Sequence, residues 1–135
     1  MRSNNKQKGD NSEIAFMYQI HQLGFIVSQP FGEQVYDFII DYNGKLSRVQ
    51  IKSCYQVDKS SKGEKYKLMT VRGAKQRNYK RKDIDFLIGR IVPMNCWYII
   101  PISEVENKYT ISLFTGVKNS ISKYEKYRDN WNLLK

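Results

Sequence analysis

The sequence predicts an α/β domain built on a central mixed sheet, and three stretches carry that prediction. A segment near the start spaces its apolar residues as a helix does, residues 35–52 read as a β-hairpin, and residues 84–92 and 97–100 are apolar at successive positions. The 135 residues suit one domain, with a flexible basic arm at 1–9 and a single unit over 10–135. Hydrophobic residues at 41% and charged residues at 27% are a globular composition and not a disordered one.

The helix is expected to start at Asn11 or Ser12, either of which caps it, and to stop at Gly24. Its inward stripe is Phe16 or Met17, then Ile20 and Leu23. Glu13 lies one turn earlier at the end of that stripe, so its carboxylate is placed to face the sheet. As a first-turn acid it also favours the helix dipole without any further role. His21, the sole histidine, has no ligand-like neighbours and reads as structural or exposed.

A first strand spans 25–30, ended by Pro30 and Gly32. The hairpin follows, with Asn43-Gly44 as its turn, because both central positions of a type I′ turn need positive φ. Tyr42 then pairs with Lys45, Asp37 falls across from Gln50, and Val35 across from Lys52. On the second strand Leu46, Arg48, Gln50 and Lys52 share one face, while Val49 and Ile51 share the other and have a core to fill. One face is packed, and the other assembles a carboxylate, an amide and an ammonium. A cross-strand ion pair of that kind contributes roughly 0.2–1 kcal/mol without any function.

Beyond the hairpin, residues 56–67 are polar and form a loop or a long ribbon around Gly63, and residues 66–71 alternate weakly as a short strand. Residues 72–82 are the most basic stretch, holding Arg72, Lys75, Arg77, Lys80, Arg81 and Lys82 around Tyr79. Strands at 84–92 and 97–100 have the continuous apolar pattern of strands covered on both faces. One helical turn is expected at 102–106, a strand at 109–114, and a terminal helix at 120–134 carrying Ile121, Tyr124, Tyr127 or Arg128, Trp131 and Leu134.

Lys and Arg number 23 against 13 acids, a formal net charge of +10. Such an imbalance fits a polyanionic partner, nucleic acid before an anionic membrane. No apolar run approaches the roughly 18 residues of a membrane span, so a cytoplasmic protein without a membrane partner is expected. The two cysteines, Cys54 and Cys96, have no metal-ligand set or disulfide framework around them. Basic side chains around an aromatic suit phosphate contact with base or sugar stacking, which makes Arg48, Arg72, Lys75, Arg77, Tyr79, Lys80, Arg81 and Lys82 the candidate DNA-binding residues.

Phosphodiester hydrolysis asks for a hard cation, oxygen ligands to hold it, and a positive group for the developing charge. Asp37 offers one ligand, Glu13 a second carboxylate directly or through water, Gln50 a neutral oxygen, and Lys52 the positive group. With two acids instead of three, the site binds a cation less tightly and repels a DNA phosphate less.

The run 30–53, PFGEQVYDFIIDYNGKLSRVQIKS, resembles the core motif of the PD-(D/E)XK nuclease superfamily in its Gln-for-acid variant. Tyr36-Asp37 stands at the Pro-Asp element, Gln50-Ile51-Lys52 at the (D/E)XK element, and Glu13 at the acid often carried by the first helix. Over most of its length the chain is similar to small stand-alone nucleases of this class, Holliday-junction resolvase-like proteins and a bacterial intron-encoded homing endonuclease among them. The resemblance implies a restriction-endonuclease-like αβββαβ core. It also implies Mg²⁺, with Mn²⁺ as a substitute, held by Asp37 and the Ile51 carbonyl, with Glu13 contributing, and Lys52 near the attacking water. The expected activity is a Mg²⁺-dependent endonuclease on double-stranded DNA, sequence-specific and of homing type. A junction resolvase and a non-catalytic DNA-binding protein of the same fold are the alternatives.

Two strands of opposite polarity call for two sites, so a homo-oligomer, a dimer or a tetramer, is expected. Tyr124, Tyr127, Trp131, Leu133 and Leu134 either form its apolar contact or complete the monomer's own core.

Overall fold

The computed structural model describes residues 4–60, 63–73, 75–117 and 122–135. Parts of four expected segments lie outside the described residues: 1–3 of the arm, 61–62 of the polar ribbon, Ala74 of the basic stretch, and Ser120 and Ile121 of the terminal helix. In chain order the elements are α1 (Asn4–Gln22), β1 (Ile26–Ser28), β2 (Phe38–Tyr42), β3 (Lys45–Cys54), β4 (Asp58–Ser60), β5 (Gly63–Met69), β6 (Val71–Arg72), β7 (Arg77–Asn78), β8 (Phe86–Ile91), β9 (Cys96–Pro101) and β10 (Thr110–Leu113).

A five-stranded mixed sheet in the order β1-β2-β3-β8-β9 forms the centre. Its pairs are antiparallel except β3 with β8, which run parallel. Side-chain alternation splits the core into two layers. On one face, Phe38, Ile40, Val49, Ile51, Ile88 and Ile99 pack under Phe16 and Ile20 of α1, with the Trp97 and Trp131 rings tilted against Phe16 and each other. On the other, Leu87, Ile91, Tyr98 and Ile100 meet Tyr66, Leu68, Ile111 and Leu113 from the smaller sheet β10-β5-β4. Burial on both faces explains why β8 and β9 read as continuous apolar runs.

The α1 helix begins at Asn4 and not at Asn11, so residues 4–9 of the expected arm are helical. Tertiary contact accounts for the extra turns: the Tyr55 hydroxyl donates to the Lys8 carbonyl at 3.2 Å, and the Lys8 ammonium lies over the Tyr55 ring. Ser12 is consequently not a cap. It is buried in mid-helix, where its hydroxyl bonds that of Ser53 on β3 and accepts from Arg90 Nη1 at 3.2 Å. Leu23 falls beyond the helix and is exposed.

The crossover from β3 to β8 consists, among the described residues, of the short strands β4 to β7 and their turns, where the αβββαβ pattern implies a helix. The terminal helix is likewise replaced by 3₁₀ turns at Glu125–Tyr127 and Trp131–Leu134. Between them the chain is drawn onto β9. Arg128 bridges to Tyr98, Asp129 N–H donates to the Trp97 carbonyl at 2.7 Å, and the Asp129 carboxylate accepts from Trp97 N–H at 2.9 Å. Pairing with a strand has overridden helical spacing. Tyr124, Tyr127, Trp131 and Leu134 are buried in the chain's own core, so they are not the apolar contact of an oligomer. Among the described residues, no helix is long and apolar enough to cross a membrane.

Candidate active site

The β2-β3 hairpin sets the site. Asn43 at φ 51° and Gly44 at φ 88° make the turn, and Tyr42 pairs with Lys45. The ladder then runs to Phe38 with Val49 and stops, so the expected pairing of Val35 with Lys52 is not formed. At the break, Asp37 turns toward β3. Its N–H donates to the Val49 carbonyl at 2.9 Å, and its Oδ2 accepts from Ile51 N–H at 2.9 Å. In an antiparallel pair a residue's N–H and C=O point to the same side, so the Ile51 carbonyl also faces the strand that carries Asp37.

Glu13 reaches the same point from α1, and its carboxyl hydrogen-bonds that of Asp37. Burial, and then the charge of Asp37, push Glu13 above the usual carboxylate range. Burial also raises Asp37, while Ile51 N–H, the Glu13 hydrogen bond and the Lys52 charge pull it back. Two carboxyls this close disfavour ionising together, and the charge of Asp37 adds to burial in raising Glu13. The Ser12–Ser53 bond fixes the helix against β3 one residue before Glu13 and one after Lys52.

Lys52 is depressed by burial, against the attraction of Asp37. Its ammonium lies 5.5 Å from the centre of the Tyr79 ring. Gln50, between the two residues that bond Asp37, keeps its Oε1 buried with no hydrogen-bond partner. A buried amide oxygen in that state is costly unless something positive meets it. The two carboxyls, this amide oxygen and the Ile51 carbonyl are all oxygen donors, the kind that a hard divalent cation takes. Among the described residues no group of three or more His, Cys, Asp and Glu gathers anywhere, so this site relies on its amide and carbonyl oxygens as well as its acids.

The basic residues divide. Arg72, Lys75, Arg77, Lys80 and Lys82 line an open cleft of about 440 Å³. Arg81 stands on the surface and pairs with Glu106 at 3.3 Å. Tyr79 does not face solvent: it is 2% exposed, packed in the core with one face toward Lys52. Burial, then the charge of Asp37, raise its phenol further above neutrality. Its ring is therefore not available to stack a base. Arg48, expected to contact DNA, is engaged within the chain. Its guanidinium donates to Asp85, to the Lys82 carbonyl at 2.6 Å and to the Arg81 carbonyl at 2.9 Å, holding the basic loop in place. Ser12, Ser53 and Asp85 support the site through contacts that the sequence does not signal. Serines and a loop acid carry no spacing signal until the fold supplies their partners.

Among the described residues, a mixed sheet flanked by one α-helix, with a carboxyl pair and a lysine at the broken end of its central hairpin, has the arrangement of the restriction-endonuclease-like fold. A family model described as PD-(D/E)XK endonuclease matches residues 3–134. The chain belongs to that family, whose nucleases typically use divalent metal ions. Among solved structures, the bacterial homing endonuclease I-Ssp6803I is similar at 26% identity and a TM-score of 0.79, over 99% of this chain and 92% of that one. No curated protein matches the chain.

Proposed function

We propose that the chain is a Mg²⁺-dependent endonuclease that hydrolyses phosphodiester bonds in duplex DNA at a specific sequence, with Mn²⁺ able to replace Mg²⁺. The observation that carries this reading is the Glu13–Asp37 carboxyl pair beside Lys52 and the unpartnered Gln50 oxygen. Asp37, Glu13 and the Ile51 carbonyl would hold the ion, with Gln50 Oε1 completing the oxygen set. When bound, the ion supplies Lewis-acid polarisation of the scissile phosphate.

The remaining work falls to side chains of the chain itself. Glu13 and Asp37 would hold the ion as carboxylates, so loading the site favours their ionised forms. Lys52 orients the attacking water and stabilises charge on the phosphate, and its burial strengthens that attraction by lowering the local dielectric. The cleft formed by Arg72, Lys75, Arg77, Lys80 and Lys82 takes the flanking backbone.

Sequence-specific cutting is favoured over junction resolution by the likeness to a protein described as a homing endonuclease, which extends over nearly the whole chain. One chain carries one such site, so cutting both strands pairs two copies about a two-fold axis.

Incubating wild type and Asp37→Ala with a randomised duplex library and with a four-way junction tests the reading. Wild type is expected to cut selected duplexes in Mg²⁺ and Mn²⁺. Asp37→Ala is expected not to cut in Mg²⁺ while still binding the same duplexes in Ca²⁺. Equal cutting by Asp37→Ala overturns the site, and junction-selective cutting overturns the substrate.

A further inference from the structure

The segment between β1 and β2 carries an aromatic side chain that the fold does not use. Ser28 pairs with Ile39, so residues 29–37 leave and re-enter the sheet at the end where Asp37 sits. Val35 and Tyr36 pack onto the core as the segment returns. Its outer part is exposed, and Phe31 at 107% exposure is the most exposed large hydrophobic residue among those described. Proline fixes φ at position 30, and Gly32 at φ 97° supplies a turn that other residues resist. Phe31 is therefore displayed by a defined bend. The neighbouring Gln29 and Gln34 are exposed and neutral, and Glu33 is the one charge in 29–36. That composition is unsuited to gripping a phosphate backbone, which the basic cleft serves. It suits contact with bases.

Resting on the duplex-endonuclease reading above, we propose that Phe31 is a wedge that inserts between base pairs of bound duplex DNA beside the phosphate to be cut. Apolar wedges of this kind unstack a base step and kink the duplex, which brings more of its backbone against the protein. Here the bend would press the phosphate chain toward Asp37, six residues further along, and into the cleft. The residue would set position and local DNA preference, since flexible pyrimidine–purine steps open most easily.

The test uses duplexes selected from a randomised library by full-length wild-type protein in Ca²⁺. Wild type, Phe31→Ala and Phe31→Trp are compared for affinity in Ca²⁺, for permanganate reactivity of thymines near the cut, and for cutting in Mg²⁺. Because Phe31 packs against nothing, all three should share one melting temperature. Loss of stacking in Phe31→Ala is expected to weaken affinity about 10-fold and abolish permanganate hyperreactivity, while Phe31→Trp retains both. If wild type selects and cuts duplexes but Phe31→Ala matches it in affinity and in thymine reactivity, the wedge is overturned and the nuclease reading stands. If wild type selects and cuts no duplex, the reading beneath the wedge fails, and the wedge with it.

Discussion

Arg48 and Asp85 close a reciprocal bond between β3 and the end of the basic loop. Arg48 N–H donates to Asp85 Oδ2 at 2.8 Å, Asp85 N–H donates to the Arg48 carbonyl at 2.9 Å, and Arg48 Nη2 meets Asp85 Oδ1 at 3.2 Å. Burial alone would raise the Asp85 carboxyl, but Arg48 holds it below the usual carboxylate range. Asp85→Ala should lower stability by about 1 kcal/mol, a modest loss because the pair is partly exposed and screened by solvent. It should also loosen the carbonyls of Arg81 and Lys82 and weaken DNA binding in Ca²⁺. Cutting at saturating DNA should be retained, since Asp85 touches none of the carboxylates. A fall in the saturated rate without a fall in affinity would contradict this division.

The Glu13–Asp37 pair makes an opposite pH signature. Both carboxyls are raised above their ordinary values in the folded chain, so between those values and the raised ones the folded state binds more protons than the unfolded state. Their contribution to stability of the metal-free protein therefore falls as pH rises through that window. Glu13→Gln keeps a hydrogen-bond donor for Asp37 and removes the repulsion. It should melt at higher temperature than wild type at neutral pH without metal, lose that advantage in acid, and cut poorly in Mg²⁺. A variant no more stable than wild type across the pH range would mean that the two carboxyls do not repel each other in the folded chain.

Much of this site is legible in the sequence because it depends on local geometry. Asn43-Gly44 fixes the hairpin register, and alternation then puts Gln50 and Lys52 on one face with Val49 and Ile51 on the other. Glu13 follows from its place on the stripe with Phe16 and Ile20. What is not legible depends on partners distant in the chain. The aromatic Tyr79 within a basic run reads as a base-stacking residue until the fold buries it beneath Lys52. Arg48 reads as a phosphate contact until Asp85, 37 residues later, claims it. The spacing of Tyr124, Tyr127 and Trp131 suggests a helix, yet Asp129 at φ 48° and its bonds to Trp97 show β9 dictating the path.

Gly89 is a packing requirement behind the site. It pairs with Lys52 across the parallel β3-β8 ladder, and a Cβ there would lie 2.6 Å from Cδ2 of the fully buried Leu68. Gly89→Ala should cost about 1–3 kcal/mol as Leu68 is forced from its position. Leu68→Val in the same chain should recover part of that loss, which denaturant melts of the two single variants and the double variant would show. Strict additivity would place the strain elsewhere.

The basic cleft should report itself through salt. Each phosphate contact releases condensed counterions, so affinity falls with salt concentration at a slope of about 0.9 per contact. Arg77, Lys80 and Lys82 are exposed and line the cleft, whereas Arg81 is turned to Glu106 and Arg48 to Asp85. Neutralising Arg77, Lys80 and Lys82 together to Gln should weaken binding on every duplex and flatten the slope by about 2 to 3. Arg81→Gln should change it less, because an arginine already paired with a carboxylate must give up that partner before it neutralises a phosphate. Isotherms in Ca²⁺ over a range of salt concentrations separate the two cases. A triple variant with the wild-type slope would move the DNA backbone off this cleft, and a larger change from Arg81 alone would mean that Glu106 releases it when DNA binds.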